Sequence, residues 1–251
     1  MKRILLTGAA SSFSMSKKAK SSVFIIAITL PFCGACTSMS PEKPAKRDFT
    51  PSMLATKVQE EFSERSFDEK SAENFALEYG SDTVPILIEL LKSNDALIPK
   101  GKVAIYLGKL GGPSAAEPIR EFITNALQDE LPKDTYLDIA YALHSLGFIG
   151  NEASLNYLRQ GTYPEFWNHI SPTFTIPELK LDHYGAVQAM REASLRAYAR
   201  SGKKTVIDDL LKRRDDFKGF SDHLYKEALE EAQQRNSGKK LQKRKLESAL
   251  K

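Results

Sequence analysis

The chain has 251 residues, a formal net charge of +4 and two cysteines, Cys33 and Cys36. The positive charge does not imply a nucleic-acid partner: residues 1–35 carry Lys2, Arg3, Lys17, Lys18 and Lys20 and no acid, and without them 31 basic residues face 32 acidic ones. The remaining length, about 200 residues, is enough for a sizeable core or an extended stack of repeated units.

In chain order the first element is a leader. Lys17, Lys18 and Lys20 precede "VFIIAITL", Val23–Leu30, and the low-polarity run continues to Ala35. A charged start, an apolar stretch of about 7–15 residues and small residues before a cut are the parts of an export signal. The run is shorter than the roughly 20 apolar residues of a permanent membrane span. Met15 offers an alternative start that gives the leader a more ordinary length.

The cut site, "CGAC" at Cys33–Cys36, resembles the lipobox of bacterial lipoproteins, with Gly34 and Ala35 before Cys36 and Cys33 where leucine is usual. The resemblance implies that residues 1–35 are removed and that Cys36 becomes the acylated N-terminus. It implies a membrane anchored through lipid, and Thr37 in place of aspartate after the cysteine points to the periplasmic face of the outer membrane in a Gram-negative cell. One cysteine, itself acylated, would leave no intramolecular disulfide, so stability would rest on burial. A redox C-x-x-C pair would need a strand before it and a helix after it to lower a thiol pKa. Here an export segment precedes the pair and "TSMSPEKPAK" follows.

Residues 36–52 are polar and contain Pro41, Pro44 and Pro51. They read as a flexible tether with a reach of about 20–25 Å. From Met53 the pattern is helical, with Leu54, Val58 and Phe62 at four-residue spacing, and "SFDE", Ser66–Glu69, forms a capping box for a helix ending at Gly80.

A recurrence then begins. "YGSDTVPILIELL", "LGGPSAAEPIREFI", "IGNEASLNYLRQ" and "SGKKTVIDDLLKR" each set a glycine before polar or small residues and an apolar helix. The anchoring glycines are Gly80, Gly112, Gly150 and Gly202, and helical patterns such as "KVAIYLGKL" and "YLDIAYALHSL" precede three of them. A helix, a tight corner and a second helix repeating every 30–50 residues is the signature of an α-solenoid, and glycine suits the corner because it takes positive φ without penalty. "SAAE", Ser114–Glu117, offers a second capping box. The segments "AIYLGKLGGPSAAEPI" and "AYALHSLGFIGNEASLNYL" resemble the HEAT-repeat family. The fold expected from them is all-α, a short HEAT-like solenoid over residues 53–235, with the match covering about 68–215.

Candidate chemistry is sparse. "SGKKT", Ser201–Thr205, lacks the distant glycine and the hydroxyl residue of a phosphate loop and follows a helix rather than a strand, so it reads as a corner. His144, His169, His183 and His223 form no metal-binding motif, and no catalytic constellation, metal or cofactor is expected. Asp208–Asp209 and Asp215–Asp216 sit among basic residues and read as a solvated face.

Residues 161–183 interrupt the series with Tyr163, Phe166, Trp167, Phe174 and three prolines. Two readings stay open: aromatics packed back on the helices, or a partner-binding insertion anchored by those four side chains. Residues 236–251 are basic, through Lys239, Lys240, Lys243, Arg244 and Lys245, and read either as a solvated extension or as a contact for anionic lipid. Together these features lead us to expect a monomeric, membrane-anchored scaffold or adaptor for an envelope protein or complex. An enzyme, or an accessory or maturation factor of the HEAT-like lyase type, is the alternative.

Overall fold

The computed structural model describes residues 78–96 and 98–249, with a few positions between 50 and 74, and side chains as far as residue 238. The leader and Cys36 lie outside the described residues, as do most of the tether, Leu54, Val58, Phe62 and the Ser66–Glu69 box. From Val84 onward the described residues form nine α-helices: α1 Val84–Lys92, α2 Lys100–Leu110, α3 Ala116–Ala126, α4 Lys133–Ile149, α5 Glu152–Gln160, α6 Pro164–Ile170, α7 His183–Arg200, α8 Lys204–Lys212 and α9 Asp222–Ala249. The described residues contain no strand. Isolated bridges join Glu130 to Thr175 and Ile176 to Leu181.

The corners fall where the sequence places them. Gly80, Gly112, Gly150 and Gly202 have φ of 68°, 51°, 56° and 58°, and they are the glycines with positive φ among the described residues. After Gly150, Asn151 caps α5 by accepting from Ser154 N at 2.8 Å, and Asp182 caps α7 by accepting from Gly185 N at 2.9 Å. The expected capping box at Ser114–Glu117 does not form. Gly112–Ala115 is a turn of 3-10 helix that runs straight into α3, so Ser114 Oγ donates back to Gly111 O, and Glu117 pairs with Arg120. A serine already inside a helical turn has no free amide three residues ahead to accept from.

Residues Lys46–Lys251 make one compact unit. Within it α2 packs on α4, α4 on α7, and α7 on α9. Glycines set these contacts: a Cβ on Gly101 would lie 2.7 Å from Asp138, one on Gly108 2.9 Å from Ser145, and one on Gly147 2.2 Å from the Ala197 carbonyl. Both members of the first two pairs advance by seven residues, so α2 and α4 run parallel. Arg196–Glu227 and Arg200–Glu231 pairs, stepped by four residues on each helix, make α7 and α9 parallel as well. The C-terminal ends of α2, α4 and α7 therefore share one edge. Helices α1, α3, α5 and α8 pack against this row, and the core of Leu87, Ile105, Ile119, Ile123, Leu143 and Leu146 runs between them into Trp167 and Phe217.

The stretch 161–183 is built into that core. It contains α6 and a 3-10 turn at Pro177–Leu179. Residues 236–249, expected as a separate tail, continue α9 as helix.

Candidate functional site

Helix α4 carries a stripe with the spacing of one helical face. Leu137, Tyr141, His144 and Phe148 follow at i, i+4, i+7 and i+11, and each keeps some exposure while Ile139, Ala142, Leu143 and Leu146 are fully buried. On the neighbouring α7, Gln188, Glu192, Arg196 and Arg200 reach solvent at successive turns, and Tyr184 near its start is 77% exposed. The Arg196–Glu227 and Arg200–Glu231 ion pairs carry the surface on to α9, with Arg200 Nε 3.0 Å and Arg235 Nε 3.1 Å from the same Glu231 oxygen. The two surfaces meet at Phe148. Lys109 Nζ stands 4.1 Å from its ring centroid, and the guanidinium carbons of Arg200 and Arg235 stand at 5.7 and 5.8 Å. Three helices thus each place a cation on one ring, within the range of a cation–π attraction. The long stripe is aromatic and apolar, its corner end is basic, and such a surface suits protein or anionic-surface contact better than chemistry at a point.

The four aromatic side chains singled out between residues 161 and 183 separate into two groups. Trp167 and Phe174 have zero exposure, and Trp167 Nε1 donates to the Gly161 carbonyl at 2.7 Å. Those two are core residues in this fold, so neither ring is presented to a partner. The sequence left this outcome open, and the reason for it is visible. Gly161 leaves room for the indole, since a Cβ there would lie 3.3 Å from Trp167 Cζ2 and 2.5 Å from Ser194 Oγ. Phe166 is half-buried, edge-on to both Tyr157 and Trp167 with centroids 5.0 and 5.1 Å away. Tyr163 is half-buried under Arg159. His183, at the end of the stretch, has ring nitrogens 3.1 Å from Phe174 O and 3.0 Å from Asn168 Oδ1, so it ties the loop to itself. Among the described residues no cluster of three metal-binding side chains occurs.

A polar network that sequence reading missed fastens this stretch. Arg159 Nε donates to Asp209 Oδ2 and its Nη2 to Asp216 Oδ2, each at 2.8 Å, while its guanidinium lies over the Phe217 ring at 4.6 Å. Tyr198 OH donates to the same Asp209 oxygen at 3.1 Å, and Arg191 Nε donates to the Thr162 carbonyl at 2.9 Å. One member of each acidic pair therefore pairs with Arg159: Asp209 is 15% exposed and largely shielded, while Asp216 keeps 41% exposure. Arg159 lies 50 and 57 residues from them, a separation that no local pattern reveals.

At the far end of the array a cavity of about 440 Å³ lies between α1 and α3. Lys100 occupies part of its wall, donating from Nζ to Leu90 O at 2.7 Å and Ser93 Oγ at 2.6 Å. Burial pushes this amine down from its ordinary value, and the two acceptors explain its task, closing the C-terminus of α1. Among the described residues no helix is long and apolar enough to cross a membrane. No family model, curated protein or solved structure matches the chain.

Proposed function

We propose that the chain is a lipid-anchored envelope lipoprotein whose helical domain is a short HEAT-like solenoid that binds a protein partner as a scaffold or adaptor. Support for the solenoid comes from the serial packing of α2, α4, α7 and α9 and from the positive-φ glycines that open each following helix. In such an array each unit contacts mainly its neighbours and leaves a continuous face. The observation that carries the binding role is the stripe Leu137, Tyr141, His144 and Phe148 along that face, with Leu137 39% exposed. An aromatic and apolar strip with a charged border is the composition of an interface core and its rim. The anchor at Cys36 rests on the lipobox, and placement at the outer membrane rests on Thr37.

Two measurements test the two halves. Intact mass of protein from a bacterial envelope is expected to show a chain beginning at an acylated Cys36, and Cys36→Ser is expected to abolish both cleavage and acylation. A photo-crosslinking residue at Leu137 is expected to capture one envelope protein in place, whereas the same group at Leu211, exposed on α8, captures none of it. Equal capture at both positions would remove the assigned face.

A further inference from the structure

We propose that the corner edge of the helix row, extended by the last turns of α9, rests on a bilayer surface of anionic phospholipid headgroups. The edge is where α2, α4 and α7 end, and it gathers cations. Lys109, Arg200 and Arg235 surround Phe148, the Lys203 side chain passes over Gly150, and Lys204 opens α8. The acids near it in the chain are Glu231, which already accepts from Arg200 and Arg235, Glu230 beside it, Glu152 in the first turn of α5, Glu117 in the first turn of α3, which pairs with Arg120, and Asp208 and Asp209 on α8, of which Asp209 accepts from Arg159.

Helix α9 then runs past the edge. A Cβ on Gly202 would lie 2.7 Å from Arg235 Cβ and 3.2 Å from Asn236 N, so the corner packs on α9 at residues 235–236. The helix continues to Ala249, and those further turns extend about 20 Å at the usual rise. Residues 236–251 hold six basic residues and one acid, whereas residues 36–235 hold 25 basic and 31 acidic ones. The molecule is a charge dipole, with an acidic body, a basic edge and a basic projecting helix. An anionic surface attracts the one end and repels the rest, which fixes orientation as well as affinity. Helix C-termini alone favour cations through their dipoles, but only within the last turn. That accounts for Lys109 and Arg200 and leaves Arg235 and the basic residues beyond it unexplained.

This inference adds an orientation to the membrane location proposed above, and the test separates the two. The chain from residue 36 onward with Cys36→Ser, which carries neither the basic apolar leader nor an acyl chain, is sedimented with phosphatidylcholine vesicles with and without phosphatidylglycerol, at low and high salt. We expect preference for the anionic vesicles, lost in about 1 M salt where screening acts within about 3 Å. Replacing Lys203 and Lys204 by glutamine is expected to lower binding about fivefold for each charge removed, and replacing Lys239, Lys240, Lys243, Arg244 and Lys245 by glutamine at least about tenfold. Lys203 and Lys204 are exposed, and unchanged melting temperatures would verify folding of both variants. Equal binding to both vesicle types, or unchanged preference in both variants, overturns the proposal, as does binding to a DNA duplex without binding to vesicles. Acylation of the wild type without anionic preference would leave the lipoprotein reading standing and this one refuted. Anionic preference without acylation would do the reverse.

Discussion

Gly108 of α2 and Ser145 of α4 meet so closely that a methyl group on the glycine would lie 2.9 Å from the Cα, Cβ and carbonyl oxygen of the serine. Two of those three atoms are backbone, so no rotamer change relieves the clash. Gly108→Ala is therefore expected to force the helices apart and cost about 1–3 kcal/mol, the usual range for overpacking. Gly147→Ala, which would meet the Ala197 carbonyl at 2.2 Å, is expected to cost more. Gly238→Ala, with open space around it, is the control and costs nothing measurable or stabilises the helix. Denaturant midpoints that rank these variants otherwise would contradict the packing described.

Trp167 is the chain's single tryptophan and has no exposure. Trp167→Ala removes its packing and leaves the Gly161 carbonyl without its donor, at an expected cost of about 3–5 kcal/mol. Native fluorescence is expected to be blue-shifted and resistant to iodide quenching. A red-shifted, readily quenched emission would return Trp167 to the surface and restore it as an interface anchor.

Arg159 is 13% exposed and engages Asp209, 15% exposed, and Asp216, 41% exposed. Arg159→Met leaves the Asp209 carboxylate buried with its main partner gone, and about 2–3 kcal/mol of destabilisation is expected, with the more exposed Asp216 contributing little. Arg159→Lys is expected to recover only part of this, since one ammonium cannot reach both carboxylates in the plane of a guanidinium. A lysine variant as stable as wild type in urea denaturation would show that the fork geometry is not what matters.

Two buried tyrosines make stability sensitive to alkali. Burial pushes the Tyr157 hydroxyl up to about 12. Tyr198 is raised as well, by burial first and then by the Asp209 carboxylate to which it donates. The unfolded chain releases both protons near pH 10, while the folded chain retains them. From about pH 10 upward the unfolded state binds fewer protons, and stability falls as pH rises. The slope is at most about 1.4 kcal/mol per pH unit for each tyrosine. Denaturation at pH 9, 10 and 11 is expected to show a shallower decline for Tyr157→Phe and for Tyr198→Phe; identical declines would assign the alkaline sensitivity elsewhere.

The sequence by itself determined the class of the fold and the position of its corners. Helical spacing and glycine punctuation are local properties, and the four glycines named from the recurrence are those with positive φ among the described residues. Caps were less legible. Ser114–Glu117 has the letters of a capping box, yet a preceding 3-10 turn places the serine inside the helix, while Asn151 and Asp182, unremarked in the sequence, cap α5 and α7. Only tertiary structure decided which aromatic residues between 161 and 183 face inward. Composition says that Trp167 and Phe174 will be buried somewhere, in a core or in an interface, but which one depends on the space that Gly161 and its neighbours leave. The same holds for the acids. Asp209 and Asp216 differ from Asp208 and Asp215 because helices 50 residues away bring Arg159 to them, and the meeting of Lys109, Arg200 and Arg235 at Phe148 exists only once four helices stand in one row. A periodic pattern specifies which face of a helix is buried; what that face meets is set by the packing of the whole chain.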